Sequence, residues 1–270
     1  MPPACGSFGG IKRGHDTLGG RLMRRVALIT GGGRGIGRAT ARLAAQAGYD
    51  VCIAYRRDHL AAQSSLDACL AQGAVGTLFQ ANVSDPVQVD ALFAHCAATL
   101  GAPTLLVNNA GVIGGATRLV NLAPETLQAT FATNVFGSIY CSQAAVRCMS
   151  TEFGGRGGVI INLSSVAAVQ GSPGEYVHYA ATKGAIETLT IGLAKEVGPQ
   201  GIRVNAVRAG TTLTDIHAHA GNPDRPGMVA RNAPLRRAAT PEDIAEAILW
   251  LASDKASFAT GAILPVTGGL

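Results

Sequence analysis

The sequence predicts a single α/β domain in which a doubly wound parallel sheet is flanked by helices on both faces. Three observations support this prediction: β-rich runs alternate with helical patterns, several of the runs are almost continuously apolar, and no internal repeat or interdomain linker interrupts them. A strand covered by helices on both faces loses the apolar–polar alternation of a half-exposed strand. Strands that alternate with helices in this way are typically parallel.

The strands are predicted first, from the apolar runs. The seven runs are 24–30, 50–56, 75–83, 104–111, 157–165, 202–210 and 262–269. Helical periodicity fills the intervals at 36–48, 59–72, 86–99, 124–152, 176–197 and 241–253. Pro124 and Pro241 place a proline in a first helical turn, and Thr240 is a good N-cap for the last helix.

Two segments lie outside this alternation. Residues 1–22 contain no apolar segment like that of a secretory signal, and we expect a flexible tail before a domain that spans 23–270. Residues 210–240 are rich in Thr, Gly, Pro, His and Arg, and they are predicted to form a loop or small lobe near the strand ends.

Composition restricts the possible partners. The chain has 270 residues, of which 47% are hydrophobic and 14% charged, as in a compact globule. A formal net charge of +5 argues against a nucleic-acid surface, and a small anionic molecule suffices to explain local basic clusters. No stretch approaches the roughly 18 apolar residues of a membrane span. The six cysteines are scattered and lack metal-ligand spacing, which indicates buried thiols in a reducing cytoplasm and no metal site.

A glycine-rich turn follows the first strand. The segment TGGGRGIG, residues 30–37, opens a helix with spaced glycines that allow a tight turn and a close approach to a pyrophosphate. The free N–H groups and the dipole of the helix N-terminus favour negative charge there. The context predicts a dinucleotide site. Its expected contact residues are Gly31, Gly33, Arg34, Gly35, Ile36 and Gly37.

The end of the second strand bears on which dinucleotide binds. NAD sites usually place a carboxylate there for the ribose 2′-hydroxyl, whereas this chain has Tyr55 followed by Arg56 and Arg57. Guanidinium groups can hold a 2′-phosphate bidentately, and Arg34 can reach the same region. The pattern favours NADP, NAD being the less favoured choice. The alternative is a solvated charge cluster that Asp58 partly neutralises.

The segment YVHYAATKG, residues 176–184, contains a candidate acid–base pair. On a helix, Tyr179 and Lys183 lie on one face about 6 Å apart along the axis, whereas Tyr176 and Lys183 are about 10.5 Å apart. Tyr179 is therefore the chemical candidate. Lowering the pKa of a phenol from about 10 to about 7 requires about 4 kcal/mol, which a nearby ammonium and a cationic nicotinamide could supply.

Four motifs occur in order: TGGGRGIG, NNAG (108–111), NLSS (162–165) and YAATK (179–183). Together they resemble the short-chain dehydrogenase/reductase family over residues 24–270. The resemblance implies a seven-stranded Rossmann-type sheet and hydride transfer between a nicotinamide and a carbonyl/alcohol pair. It is greatest for members described as sugar dehydrogenases or 3-oxoacyl-carrier-protein reductases.

The same resemblance implies the roles of the catalytic residues. Tyr179 is the general acid/base, and Lys183 lowers its pKa and binds the nicotinamide ribose. Ser165 orients the substrate oxygen, with Ser164 as the fallback, and Asn134 anchors a proton relay behind the lysine. Asn82 stands where the family usually has an aspartate beside adenine. Further cofactor contacts are implied at Asn82, Val83, Asn109, Ala110, Gly111, Gly210, Thr212 and Thr214.

We therefore expect an NADP(H)-dependent oxidoreductase acting on a small carbonyl or alcohol substrate. An NAD-dependent sugar or alcohol dehydrogenase is one alternative, and a catalytically silent dinucleotide-binding sensor is another. Helices 124–152 and 176–197 carry more apolar surface than a monomer covers, and by resemblance they form the faces of a homotetramer or homodimer.

Overall fold

The computed structural model of the chain describes residues 17–18, 21–22 and 25–270, without the side chains of residues 17–18 and 21–22 and of His217 and His219. Residues 25–270 contain one seven-stranded sheet in which every neighbouring pair is parallel. The strands are β1 Arg25–Thr30, β2 Tyr49–Tyr55, β3 Gly76–Gln80, β4 Leu105–Asn108, β5 Gly158–Ser165, β6 Ile202–Ala209 and β7 Ile263–Val266. The predicted fold class is confirmed, and each strand lies within a predicted run except that β2 begins at Tyr49, one residue before the run 50–56.

The helices cover both faces of the sheet. They are α1 Gly35–Gln46, α2 His59–Leu70, α3 Pro86–Thr99, α4 Pro124–Phe131, α5 Gly137–Met149, α6 Ala167–Gln170, α7 Val177–Val197, α8 Ile216–His219, α9 Arg225–Asn232 and α10 Pro241–Ala252. The single helix expected over 124–152 is divided by a π-helical segment, Ala132–Phe136. Thr240 caps α10 in a reciprocal capping box with Asp243, as its position before Pro241 predicted.

The strand order is β3-β2-β1-β4-β5-β6-β7, so the chain reverses its direction of winding between β1 and β4. In open parallel sheets, ligands bind outside the carboxyl ends of the strands at this reversal. The loops that follow β1 and β4 carry the TGGGRGIG and NNAG motifs. The fold therefore brings the two motifs to one crevice.

Both faces of the central strand are buried, which explains its continuous apolar run. Successive side chains of a strand point to opposite faces. Ala27 and Ile29 belong to one core cluster, with α1 and α10, and Val26 and Leu28 belong to the other, with α3 and α5. Each cluster is formed mostly of aliphatic side chains, as expected for a sheet covered on both sides.

The two predicted irregular segments have different outcomes. In the N-terminal segment, Thr17–Leu18 pairs with Arg21–Leu22 as an antiparallel ladder, and the rest of the predicted tail lies outside the described residues. The 210–240 segment contains α8 and α9, and a bridge between Thr212 and Ala239 closes its base. It is therefore a small lobe that follows β6.

Two further properties concern the described part of the chain. Among the described residues, no helix combines the length and apolarity that crossing a bilayer requires. The described cysteines are free, and all but Cys148 are buried.

The glycine turn is so tightly closed that one of its positions excludes any side chain. A Cβ on Gly37 would lie 2.3 Å from the Gly31 carbonyl oxygen and 2.5 Å from Asn109 Nδ2. Neither neighbour can withdraw easily, because one is main chain and the other is hydrogen-bonded to the main chain of Thr30 and Gly31. Gly192, in the exposed part of α7, has nothing within 4 Å of such a Cβ.

We therefore expect one substitution to have opposite effects at these two helical glycines. Gly37→Ala should lower the free energy of unfolding by about 2 kcal/mol, because the turn must open to relieve the overlap. Gly192→Ala should raise it by about 0.5 kcal/mol, because alanine loses less backbone entropy on folding. Urea unfolding measures both changes. Equal effects at the two positions would contradict this account of the turn.

Candidate active site

Thr30 joins the two loops at the reversal of the sheet. Its Oγ1 accepts the N–H groups of Asn109 and Ala110, each at 3.0 Å, and donates to the Val107 carbonyl at 3.3 Å. In return Asn109 Nδ2 donates to the carbonyl oxygens of Thr30, at 2.9 Å, and Gly31, at 3.0 Å. These mutual bonds hold the NNAG loop against the glycine turn and leave little freedom in either.

The N-terminus of α1 opens directly from this turn. Gly35 has a φ of +52°, in the left-handed region that favours glycine, and no acidic residue lies in the first turn. A Cβ on Gly35 would lie 3.0 Å from the Thr214 methyl group, so the loop after β6 reaches the glycine turn. Gly33 and Ile36, partly buried, lie in the same segment. The uncompensated N–H groups of the helix suit a phosphate.

The end of β2 presents arginines without a carboxylate partner. Arg34, Arg56 and Arg57 are exposed, and none of them takes part in an ion pair within residues 25–270. Asp58 instead caps α2 by accepting the N–H of Ala61 at 2.9 Å. Tyr55, between strand and arginines, hydrogen-bonds His59 Nδ1 at 2.8 Å. This edge of the crevice therefore carries exposed positive charge that no carboxylate neutralises.

The end of β3 supplies the neighbouring wall. Asn82 Oδ1 accepts from Ser84 Oγ at 2.9 Å, and its main-chain N–H donates to Gln88 Oε1 at 2.9 Å. Val83 is buried against the start of α5, where a Cβ on Gly137 would lie 2.7 Å from its methyl group. Asn82 is thus fixed, partly exposed, at the carboxyl edge of the sheet.

Tyr179 and Lys183 lie one turn apart in α7. Tyr176 is the N-cap residue of this helix, so the first tyrosine of the segment lies at the helix boundary as predicted. Lys183 is buried, and its ammonium donates to the Leu163 carbonyl of β5 at 2.6 Å. The Nζ atom lies 5.6 Å from the centroid of the Tyr179 ring. The pair thus lies against the carboxyl end of β5.

The structure brings Ser165 to the tyrosine and directs Ser164 elsewhere. The Ser165 side chain lies within reach of the Tyr179 phenol and lowers its pKa. The Ser164 hydroxyl instead donates to Glu187 Oε1 at 2.8 Å. The short helix α6 takes up the long interval between Ser165 and Tyr179, and Ser165 Oγ accepts the N–H of Ala167 at 3.2 Å at its start.

Asn134 lies in the π-helical turn and links the segment that follows NNAG to α7. Its Oδ1 accepts the N–H of Val112 at 2.9 Å, and its Nδ2 donates to the Val112 carbonyl at 2.8 Å and to Thr182 Oγ1 at 3.1 Å. A Cβ on Gly111 would lie 3.4 Å from Asn134 Oδ1 and 3.8 Å from Lys183 Nζ. Asn134, Gly111 and Lys183 therefore meet at one point.

The loop after β6 forms a further wall of the crevice. A Cβ on Gly210 would lie 2.8 Å from Thr267 Cα, so the loop passes close to the segment that follows β7. Thr212 is buried, and its hydroxyl donates to the Gly210 carbonyl at 3.0 Å. These contacts fix the path of the chain towards Thr214.

Burial dominates the ionisation of the central pair. It raises the pKa of Tyr179 to about 12, an effect that the Ser165 side chain opposes, and it lowers the pKa of Lys183 to about 8. Burial penalises the charged forms of both groups, and the ammonium is held at a main-chain carbonyl. The lowering of the Tyr179 pKa by Lys183 together with a cationic nicotinamide stays a prediction for the cofactor-bound protein.

Sequence reasoning missed Glu187 and Arg208. They form a bidentate ion pair beside Ser164, one helical turn beyond Lys183. A glutamate four residues after the lysine, on the same helix face, was the signal that could have indicated them.

Comparison with known proteins points to the oxidoreductase family that the sequence motifs resemble. A family model described as enoyl-(acyl carrier protein) reductase matches residues 31–270. The chain is 47% identical over 244 residues to the uncharacterized oxidoreductase YgfF of Escherichia coli (strain K12), covering 90% of this chain and 99% of YgfF. It is 38% identical over 252 residues to L-rhamnose 1-dehydrogenase (NAD(P)(+)) of Sphingomonas sp. (strain SKA58), covering 92% and 97%.

A solved structure resembles the fold as a whole. It is a short chain dehydrogenase from Burkholderia cenocepacia J2315 in complex with NADP, which matches with a TM-score of 0.82 at 32% identity. The match covers 91% of this chain and 97% of that one.

The buried lysine should lower the stability of the protein that contains it. Replacing it by methionine, which has a similar length and no charge, should raise the free energy of unfolding at pH 7 by about 2 kcal/mol, after allowance for the lost hydrogen bond. Lys195→Met, at an exposed position of the same helix, is the control and should have little effect. Urea unfolding at several pH values measures both.

The pH dependence gives this prediction a sign. The folded pKa of Lys183, about 8, lies below the ordinary value of 10.5, so the unfolded chain binds the proton more tightly between these values. The stability of the unmodified protein should therefore rise as the pH increases from about 8 towards 10. The advantage of Lys183→Met should narrow over the same range. An advantage that is constant with pH would contradict a buried, desolvated ammonium.

Proposed function

Because the chain belongs to the short-chain dehydrogenase/reductase family, whose members are oxidoreductases acting on CH–OH groups, we propose that it transfers hydride between NADP(H) and a small carbonyl or secondary alcohol substrate. The observation that supports this most directly is the pairing of the partly buried Tyr179 with the buried Lys183 beside the sheet reversal, with Ser165 at the phenol and Asn134 behind the lysine. We assign the activity to one domain, residues 23–270.

The crevice fits a nicotinamide dinucleotide. Its phosphate end has the glycine turn, the N-terminus of α1 and three exposed arginines, and its reacting end has Gly111 beside Asn134 and Lys183. A bound nicotinamide supplies the hydride in reduction and accepts it in oxidation. Cofactor contacts are assigned to the glycine turn, Tyr55 to Arg57, Asn82, Val83, Asn109 to Gly111, Gly210, Thr212 and Thr214.

In reduction, the chain's own residues manage the proton. Hydride reaches the carbonyl carbon, the C=O π bond breaks, and the oxygen takes the phenolic proton of Tyr179. Ser165 donates a hydrogen bond to that oxygen and so orients it. Lys183 stabilises the resulting phenolate. Asn134 anchors the proton relay through which the phenol is reprotonated. The oxidation of an alcohol runs through the same steps in reverse.

We propose NADP rather than NAD because of the arginines. A carboxylate at the end of β2 would repel a 2′-phosphate, whereas Arg34, Arg56 and Arg57 are exposed and not paired with one. NAD use, with the arginines simply solvated, is the competing account.

Three further assignments accompany this proposal. The 210–240 lobe would cover the substrate, since it follows β6 and reaches the glycine turn through Thr214. A homodimer or homotetramer would cover apolar side chains that α4, the π-helical segment and α7 expose, among them Leu127, Phe136 and Ile191. Free, mostly buried thiols suit a reducing cytoplasm.

Tyr179→Phe tests the reaction. We expect kcat/KM for NADPH-dependent reduction of the best substrate in a panel of ketones, aldehydes and sugars to fall by about 10³-fold, because the proton donor is lost. NADPH binding, measured by fluorescence titration, should change little. Tyr140→Phe, outside the site, is the matched control. Tight NADPH binding without turnover by the unmodified protein on any substrate would favour the silent sensor, and an active Tyr179→Phe enzyme would exclude this mechanism.

Arg56→Ala tests the choice of cofactor. Loss of the Arg56 guanidinium should reduce the ratio of kcat/KM with NADPH to kcat/KM with NADH about tenfold or more, because a charge-assisted hydrogen bond to the 2′-phosphate disappears. Arg156→Ala removes an equally exposed guanidinium just before β5 and should leave the ratio unchanged. If the two variants behave alike, the arginines at the end of β2 do not select the cofactor.

A further inference from the structure

A carboxylate–guanidinium pair lies one helical turn beyond Lys183. Glu187 Oε1 accepts from Arg208 Nε at 2.8 Å, and Glu187 Oε2 accepts from Arg208 Nη2 at 2.7 Å. The exposed fractions of the two side chains are only 13% for Glu187 and 21% for Arg208. The pair joins α7 to the carboxyl end of β6. A bidentate, largely shielded pair fixes both distance and orientation.

Ser164 connects this pair to the lysine. Its hydroxyl donates to Glu187 Oε1 at 2.8 Å and lies 3.4 Å from the Lys183 carbonyl oxygen. The preceding residue of β5, Leu163, supplies the carbonyl that binds the Lys183 ammonium at 2.6 Å. Consecutive residues of one strand therefore contact the main chain and the side-chain end of Lys183.

We propose that Glu187 and Arg208 are positioning residues for the proposed reaction: through Ser164 they hold the Lys183 turn of α7 against β5, and their opposite charges cancel beside the reacting pair. This inference rests on the proposed function. Neither residue touches the reacting atoms. The pair is required as a unit, because either partner alone would be a shielded, uncompensated charge close to the lysine.

Few other charges surround Lys183. The segments β5, α6 and 132–136 contain no ionisable side chain, and Glu125 of α4 is exposed. Arg203, the other charged residue of β6, donates to carbonyl oxygens at 251–253 and 259. On the N-terminal side of α7, Glu175 pairs with Arg225. In α7 itself, the His178 ring hydrogen-bonds the Ile113 carbonyl, and Lys195 and Glu196 are exposed three turns further on.

The ionisation of Glu187 agrees with this arrangement. Burial alone would raise the pKa of its carboxyl group, but hydrogen bonds from Arg208 and Ser164 outweigh burial and keep the pKa below its usual value. The pair therefore stays ionised, with a net charge of zero, over the pH range in which Lys183 titrates.

The test is the titration of Lys183 in the free protein, followed by NMR with ¹³Cε-labelled lysine. The chain has only four lysines, Lys12, Lys183, Lys195 and Lys255, so Lys183→Met identifies the signal. Glu187→Gln leaves an unpaired positive charge and should lower the pKa of Lys183, whereas Arg208→Gln leaves an unpaired negative charge and should raise it. Each change should be about half a pH unit or more. In the double variant the pKa of Lys183 should return close to its value in the unmodified protein, and Glu196→Gln should not change it.

Kinetics with the best carbonyl substrate give the second measurement. The pH profile of kcat should move in the same direction as the Lys183 titration in each variant, while the KM for NADPH stays within about twofold. If Arg208→Gln does not fold, Glu187→Gln against Glu196→Gln still decides the matter. If the pair is purely structural, both single variants will have a lower melting temperature, but neither the pKa of Lys183 nor the pH profile of kcat will move. That result, or shifts of the Lys183 pKa with the same sign in both variants, would overturn the proposal.

The two proposals can fail separately. An active Tyr179→Phe enzyme would remove the proposed reaction, whereas the Lys183 titration is read without substrate. If Tyr179→Phe is inactive and the pKa of Lys183 is the same in the Glu187 and Arg208 variants as in the unmodified protein, the proposed reaction stands and the positioning role is excluded.

Discussion

The burial of one ammonium group against a strand is the constraint on which the rest of the site depends. Lys183 is 6% exposed, and its Nζ has a main-chain carbonyl, that of Leu163, at 2.6 Å. Removing an ammonium from water is costly, and a single carbonyl restores only part of the lost solvation, which is why its pKa falls to about 8. Such a position persists only if its surroundings are rigid. The Ser164–Glu187–Arg208 cluster and the Asn134–Thr182 hydrogen bond brace the same helix on two sides.

The same constraint explains why the crevice is built from main-chain contacts. Gly111 passes so close to Asn134 and Lys183 that a Cβ there would lie in van der Waals contact with both, at 3.4 Å from Asn134 Oδ1 and 3.8 Å from Lys183 Nζ. Asn134 reaches Val112 with both ends of its amide because the helix widens into a π-helical turn at Ala132–Phe136. Thr30 then ties the NNAG loop back to the glycine turn. The phosphate end and the reacting end of the crevice are therefore held in register by short polar bridges between the ends of β1 and β4.

Much of the fold and part of the site follow from local sequence. The strands were predictable because both faces of the sheet are covered, so the apolar runs are uninterrupted, and the spacing of Tyr179 and Lys183 defines one helix face by itself. Three features were not predictable. The π-helical turn at Ala132–Phe136 accompanies the contact of Asn134 with Val112, which is 22 residues away in sequence and which no local pattern reports. The Glu187–Arg208 pair depends on the register between α7 and β6. The raised pKa of Tyr179 depends on burial by several segments, which motif spacing does not report.

The distribution of charge along the crevice connects these observations. Arg34 in the glycine turn and Arg56 and Arg57 at the end of β2 are exposed without carboxylate partners, and Asp58, next to Arg57, is engaged in capping α2. At the reacting end, burial favours the neutral forms of Tyr179 and Lys183, and the neighbouring charges occur as a matched pair. A field that is strong at the first end would attract a phosphate from solution, whereas a strong fixed field at the second would hold the phenol in one protonation state. In the reaction that we propose, Tyr179 changes its protonation state in every cycle, so the cancellation of charge around Lys183 would serve that step as the excess of charge at the arginines would serve phosphate binding.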